Sequence, residues 1–183
     1  AEDFQNIAVA LSELGCKIYV RGDSLLAEVA KIMSQPKAAD YRAHAILSRL
    51  DGPVEGVEIG VFGADLSVRL LQKPDLFLHM VDPWEGEGAS YAEKEGDFHE
   101  TLSQEQQDGY YEMSVGRTDF AADRRKIWRM RSVEAAKHFA DESLDFVFID
   151  GDHSYTGCKT DIDAWLPKVK KGGLLCGHDY HNL

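Results

Sequence analysis

Long apolar runs are missing from this chain. No stretch approaches the roughly 18 consecutive apolar residues of a membrane span, so neither a transmembrane helix nor a membrane partner is expected. Cysteine is scarce and odd in number: Cys16, Cys158 and Cys176 show no metal-ligand spacing and cannot all pair with one another. Reduced thiols in a cytoplasmic protein are the simplest reading. Positive charge is in deficit, with 20 Lys and Arg against 32 Asp and Glu and a net charge of −12. Nucleic-acid backbones are held by clustered Lys and Arg, so no nucleic-acid partner is expected. The opening "AEDFQNIAVALSELG" lacks a basic n-region, so no signal peptide is expected. It also lacks an initiator Met, which fits removal of a preceding segment. There is no internal repeat and no low-complexity tract.

What is present changes character near residue 50. Residues 1–50 read as an N-terminal helical segment. In "DSLLAEVAKIM", Asp23 or Ser24 is the cap candidate and Leu25, Val29, Ile32 and Met33 recur at helical spacing, until Pro36 ends the run. "AADYRAHAILSRL" reads as a second helix, closed by Asp51-Gly52-Pro53. "CKIYVRG" before them reads as a short strand. Residues 51–183 read as one α/β domain. Strands are expected at 54–59, 76–81, 126–130, 144–149 and 173–177, with helices at 65–71, 133–139 and 156–166. Apolar strands alternating with helices imply a parallel sheet covered on both faces, with right-handed crossovers. Periodicity lapses between Pro83 and Phe120, so 83–120 is read as an insertion or lid that meets the second substrate.

The first strand runs into a glycine turn, "VEIGVFGADLSVRLL". Dinucleotide turns use three glycines, so that the backbone can approach a pyrophosphate. Here Phe62 obstructs that approach, and Asp65 and Glu58 add negative charge. The pocket therefore suits a ligand with cationic groups and no phosphate. S-adenosylmethionine (SAM), with its ammonium, sulfonium and ribose, fits. Asp82 lies 22 residues after Gly60, near the ~20-residue spacing of a ribose-binding acid. A nicotinamide-dependent oxidoreductase would carry the same acid, and a non-catalytic SAM-binding domain the same turn, so both readings stand beside an enzyme of methyl transfer.

At these residues the sequence resembles class I SAM-dependent methyltransferases, and in particular a small-molecule group whose fourth and fifth strands read like "DFVFIDGDHSYTGCKTDIDAWLPKVKKGGLLCGHDY". The resemblance spans roughly residues 54–181. "VEIGVFGADLS" matches the first motif, where the group commonly has Gly at the position of Ala64; "VDPWEG" matches the second and "RMRSVEAA" the adenine-side segment. It implies a Rossmann-like doubly wound parallel sheet of order 3-2-1-4-5. It also implies that Glu58 and the Gly60, Phe62 and Gly63 turn face the methionine end and that Asp82 holds the ribose. Trp84 would border the ribose or acceptor, Arg131, Ser132 and Val133 the adenine, and Asp150 the ammonium or acceptor. Such folds usually end in two further strands. None is expected before Leu183, which leaves the strand-five edge to "CKIYV" or to a partner chain, giving a possible homo-oligomer.

In a 3-2-1-4-5 order strands four and five are neighbours, ~5 Å apart, so the residues after "FID" and "CG" share one mouth. Two uses are expected. In one, His153 or His178 removes a proton from a hydroxyl of a small-molecule acceptor as it attacks the methyl group. In the other, Asp150 and Asp179, with His178 or Asp152, hold a divalent ion such as Mg²⁺ that orients the acceptor. A metal-dependent hydroxylase-like relative on the same fold is a further enzyme possibility. Tyr155 and Tyr180 are read as pocket walls. The expected function is O-directed methylation of a small molecule.

Overall fold

A computed structural model describes residues 37–86 and 102–178. The chain divides into two compact units, Ala1–Lys37 and Ala38–Leu183, and the description concerns the second. Its elements are α1 (Ala38–Leu47), β1 (Val54–Ile59), α2 (Asp65–Leu70), β2 (Leu76–Val81), α3 (Gln104–Arg117), β3 (Arg125–Trp128), α4 (Ser132–Ala136), β4 (Leu144–Ile149), α5 (Tyr155–Trp165) and β5 (Val169–Gly177). A 3₁₀ segment at Asp119–Arg124, kinked at Ala121, and a single 3₁₀ turn at Leu166–Lys168 lead into β3 and β5. The expected strand "CKIYVRG" and the helix over "DSLLAEVAKIM" lie outside the described residues.

The strands form one sheet of order β3-β2-β1-β4-β5, every pair parallel. This is the doubly wound order expected from the alternating pattern. β1, β2 and β4 keep the expected bounds, and in each the last four residues are buried, which covers both faces. One face packs Leu76, Leu78, Met80, Phe146 and Phe148 against Ile46 of α1 and Leu66 and Leu70 of α2. The other packs Val57, Ile59, Val147 and Ile149 against Ala135 and Ala136 of α4 and Trp165 of α5. β5 starts four residues earlier than the pattern suggests, at Val169. An irregularity between the pairs Leu144↔Val169 and Phe146↔Leu174 lets it pass polar Lys170 and Lys171 and still pair with β4. Among the described residues β5 pairs with β4 alone, at the sheet edge.

Register positions the site. Ile59 pairs with Val81 and Ile149, Val81 with Trp128, and Ile149 with Gly177. All five strands therefore end in one row, and the residues that follow them face a single crevice at the carboxyl edge.

Candidate cofactor pocket

The crevice encloses a cavity of about 750 Å³, within the range of small-molecule sites. Its floor is the turn after β1. Gly60 takes φ +81°, and a Cβ there would lie 1.9 Å from the carbonyl oxygen of Asp150, so only glycine fits. Phe62 and Ala64 also occupy the left-handed region, at φ 50° and 62°. Ala64 thus holds the conformation for which the resembling group supplies glycine; its methyl is fully buried in the core, which offsets strain of about 1–2 kcal/mol.

Asp82, at the end of β2, explains why this turn takes no phosphate. Its Oδ2 accepts hydrogen bonds from the backbone N–H groups of Val61 and Phe62, both at 2.9 Å. Its Oδ1 accepts from the N–H of Trp84 at 2.7 Å. The turn N–H groups that would cradle a pyrophosphate are thus turned toward a carboxylate that would repel one.

Glu58 lies under the turn, 1% exposed. Ser67 of α2 donates to its Oε2 at 2.5 Å. Burial pushes its pKa up to about 8, against the pull of the Ser67 hydrogen bond, with the Asp150 charge adding to the rise. A buried carboxyl in this condition is a ready partner for a ligand cation.

Asp150, after β4, gathers one guanidinium and two imidazoles. Arg42 of α1 donates from Nη1 to its Oδ2 at 2.8 Å. His153 Nε2 and His178 Nδ1 stand 3.3 and 3.5 Å from its Oδ1. His153 does not cap α5: Ser154 does, accepting from the N–H of Gly157, while Asp152 accepts from the N–H of Ser154.

α3, from the insertion, forms a side wall. Tyr110 stacks on Phe62 at 3.9 Å between centroids, and Ser114 donates to the Phe62 carbonyl at 2.7 Å. Arg117 donates to the Gly63 carbonyl and to Asp65, each at 2.6 Å. The Asp65 charge is therefore neutralised by Arg117, which weakens the part it was expected to play against phosphate; Asp82 takes that part. Opposite, Arg131, Ser132 and Val133 line the cavity at the head of α4. Trp165 donates to Ser132 Oγ at 2.8 Å. Asp161 of α5 lines the same wall, hydrogen-bonded to Ser132, its pKa raised by burial.

The structure brings Glu58, Gly60, Phe62, Gly63, Asp82, Arg131, Ser132, Val133, Asp150, His153 and His178 around one cavity. Trp84 is a correction: it is 1% exposed and sits behind the turn, its indole N–H donating to the Phe62 carbonyl at 2.9 Å, so it braces the floor instead of bordering a ligand. Tyr155 is another, 72% exposed and outside the wall. Asp179 and Tyr180 lie outside the described residues. Among the described residues no group of three or more His, Cys, Asp or Glu is arranged to hold a metal, and no helix is long and apolar enough to cross a membrane. Sequence reasoning missed Arg42, Arg117 and Asp161. A signal for α3 existed in "SQEQ", where Ser103 and Gln106 form a capping box.

The donor set fits SAM: buried and half-buried carboxylates for an ammonium and a ribose, and a floor closed to phosphate. Comparison with known proteins decides the family. A family model described as "Methyltransferase domain" matches residues 57–180. The chain belongs to the SAM-dependent methyltransferases. Solved structures of low identity share the fold of this methyltransferase. A Staphylococcus aureus protein assigned as a caffeoyl-CoA O-methyltransferase is 14% identical, with a TM-score of 0.53 over 97% of this chain and 73% of that one. An rRNA methylase from Streptococcus thermophilus is 13% identical, with a TM-score of 0.51 over 81% and 76%. An uncharacterised protein, y4gI, of Sinorhizobium fredii is 27% identical over 99 residues, or 54% of this chain. The methyltransferase chain spans only 10% of that relative's length. Family membership sets the nicotinamide reading aside and implies SAM as the methyl donor.

Proposed function

We propose that this methyltransferase transfers the methyl group of SAM to a hydroxyl oxygen of a small molecule, with His153 or His178 taking the hydroxyl proton. One observation carries the reading: two imidazoles face the same Asp150 oxygen, 3.3 and 3.5 Å away, at the mouth of a cavity whose floor rejects phosphate. Bound SAM supplies an electrophilic methyl on a sulfonium. Glu58 would hold its ammonium, Asp82 its ribose hydroxyls, and Arg131, Ser132 and Val133 its adenine. Asp150 orients each ring: with an N–H toward the carboxylate, the other ring nitrogen carries the lone pair that accepts a proton. Alignment of oxygen, methyl and sulfur supplies much of the remaining acceleration. The apolar wall of Phe62 and Tyr110 and the net charge of −12 support a small-molecule acceptor.

A divalent ion on Asp150, His178 and Asp179 would be the alternative route to a reactive oxygen. The base is favoured because Arg42 and the two imidazoles already occupy both oxygens of Asp150. The test is turnover of His153→Gln, His178→Gln and the double variant with an acceptor found by screening hydroxylated small molecules. General-base loss is expected to cost about 10²–10⁴-fold, with SAM affinity unchanged. Full turnover by the double variant overturns the base. Activity that falls on chelation and returns with Mg²⁺ would move the account to the metal.

A further inference from the structure

The cavity's cations are unequally committed. Arg117 is tied to the Gly63 carbonyl and Asp65, and Arg131 to Glu85 at 2.5 Å. Arg42 keeps one ion pair, to Asp150, and its Nε–H is buried with no hydrogen-bond partner among the described residues. Leaving a buried donor of a charged group without a partner is unfavourable, so it calls for an acceptor. Arg42 lines the cavity beside Glu58 and Asp150. It comes from α1, ahead of the segment that the family model matches, so no motif assigns it a role.

The methionine end of SAM is a zwitterion. Glu58 answers its ammonium; its carboxylate needs a donor at the same end, and Arg42 is the cation there with an uncommitted N–H. We infer that Arg42 binds the carboxylate of the SAM amino-acid tail through its guanidinium, while Nη1 stays on Asp150. The inference rests on the proposed use of SAM in this cavity. Arg42 would then make the site selective for the complete tail over analogues that lack the carboxylate.

Calorimetry on the full chain tests this with two probes, SAM and decarboxylated SAM. Wild type should bind SAM about 10–100-fold more tightly than the decarboxylated compound, the range for a hydrogen bond to a charged group. Arg42→Met should lose that factor for SAM and bind decarboxylated SAM as wild type does. Arg42→Lys, which can keep the Asp150 pair but has no second nitrogen to offer the carboxylate, should lose most of the discrimination too. Equal wild-type affinity for the two compounds overturns the inference whatever the variants do. So does an equal loss for both compounds in Arg42→Met, which would mark Arg42 as a brace between α1 and β4. If wild type binds neither compound but NAD instead, the SAM reading itself has failed.

Discussion

Ser67 Oγ donates to Glu58 Oε2 at 2.5 Å, so the first turn of α2 reaches back to a buried carboxyl on β1. That contact does not overcome burial, and Glu58 keeps its proton up to about pH 8. The unfolded chain loses the same proton near the ordinary value of 4.5. Between those values the folded state binds more protons, so this contribution to stability falls as pH rises from about 4.5 to about 8 and is flat above. Glu58→Gln should remove that slope and raise stability above pH 8, as read by denaturant unfolding. An unchanged pH profile would contradict the buried protonated state.

The same group makes SAM binding proton-linked. An ammonium beside Glu58 favours the ionised form, so binding at pH 7 should release about one proton. Calorimetry in buffers of different ionisation enthalpy measures this. Glu58→Gln should bind more weakly and release none. Equal heats in all buffers for wild type would place the ammonium elsewhere.

Asp82 serves two purposes, which changes what its removal does. Asp82→Ala strips the acceptor from three backbone N–H groups, at Val61, Phe62 and Trp84. Stability should fall by about 2 kcal/mol or more, since each lost charge-assisted bond is worth about 1.5–3. SAM affinity should fall with it. Loss of affinity at unchanged stability would mean that Asp82 serves only the ligand.

His79 on β2 predicts an acid limit. Its Nδ1 accepts from the Trp128 indole at 3.0 Å, so Nε2–H donates to Glu55 at 2.8 Å. Burial lowers its pKa below the usual 6.5, outweighing Glu55. The unfolded chain takes up a proton that the folded chain refuses, so this stability is complete above pH 6.5 and is lost as pH falls below it. His79→Gln should flatten the decline below pH 6.5 in denaturant midpoints. A variant that loses stability in parallel with wild type would contradict it.

The sheet was legible in the sequence because its central strands are buried on both faces and separated by turn signals; Val54–Ile59, Leu76–Val81 and Leu144–Ile149 needed no adjustment. The convergence of Asp150, His153 and His178 followed from strand order alone. α3 was not legible because it buries Gln107 and Ser114, polar residues that leave no apolar periodicity. Trp84 was misread because a tryptophan after a ribose-binding acid suggests a ligand wall, whereas its φ of 43° turns the indole under the floor. Arg42 was invisible, since only the packing of α1 against the sheet brings residue 42 within 2.8 Å of residue 150.

The central claim is that the cavity at the carboxyl edge holds SAM. Its most direct measurement is a titration of the full chain with SAM, S-adenosylhomocysteine and NAD by calorimetry, repeated on Glu58→Gln. Saturable one-site binding of both adenosyl ligands, no binding of NAD, and weakened SAM binding in the variant are expected. Binding of NAD, or SAM binding that ignores the change at Glu58, would contradict it.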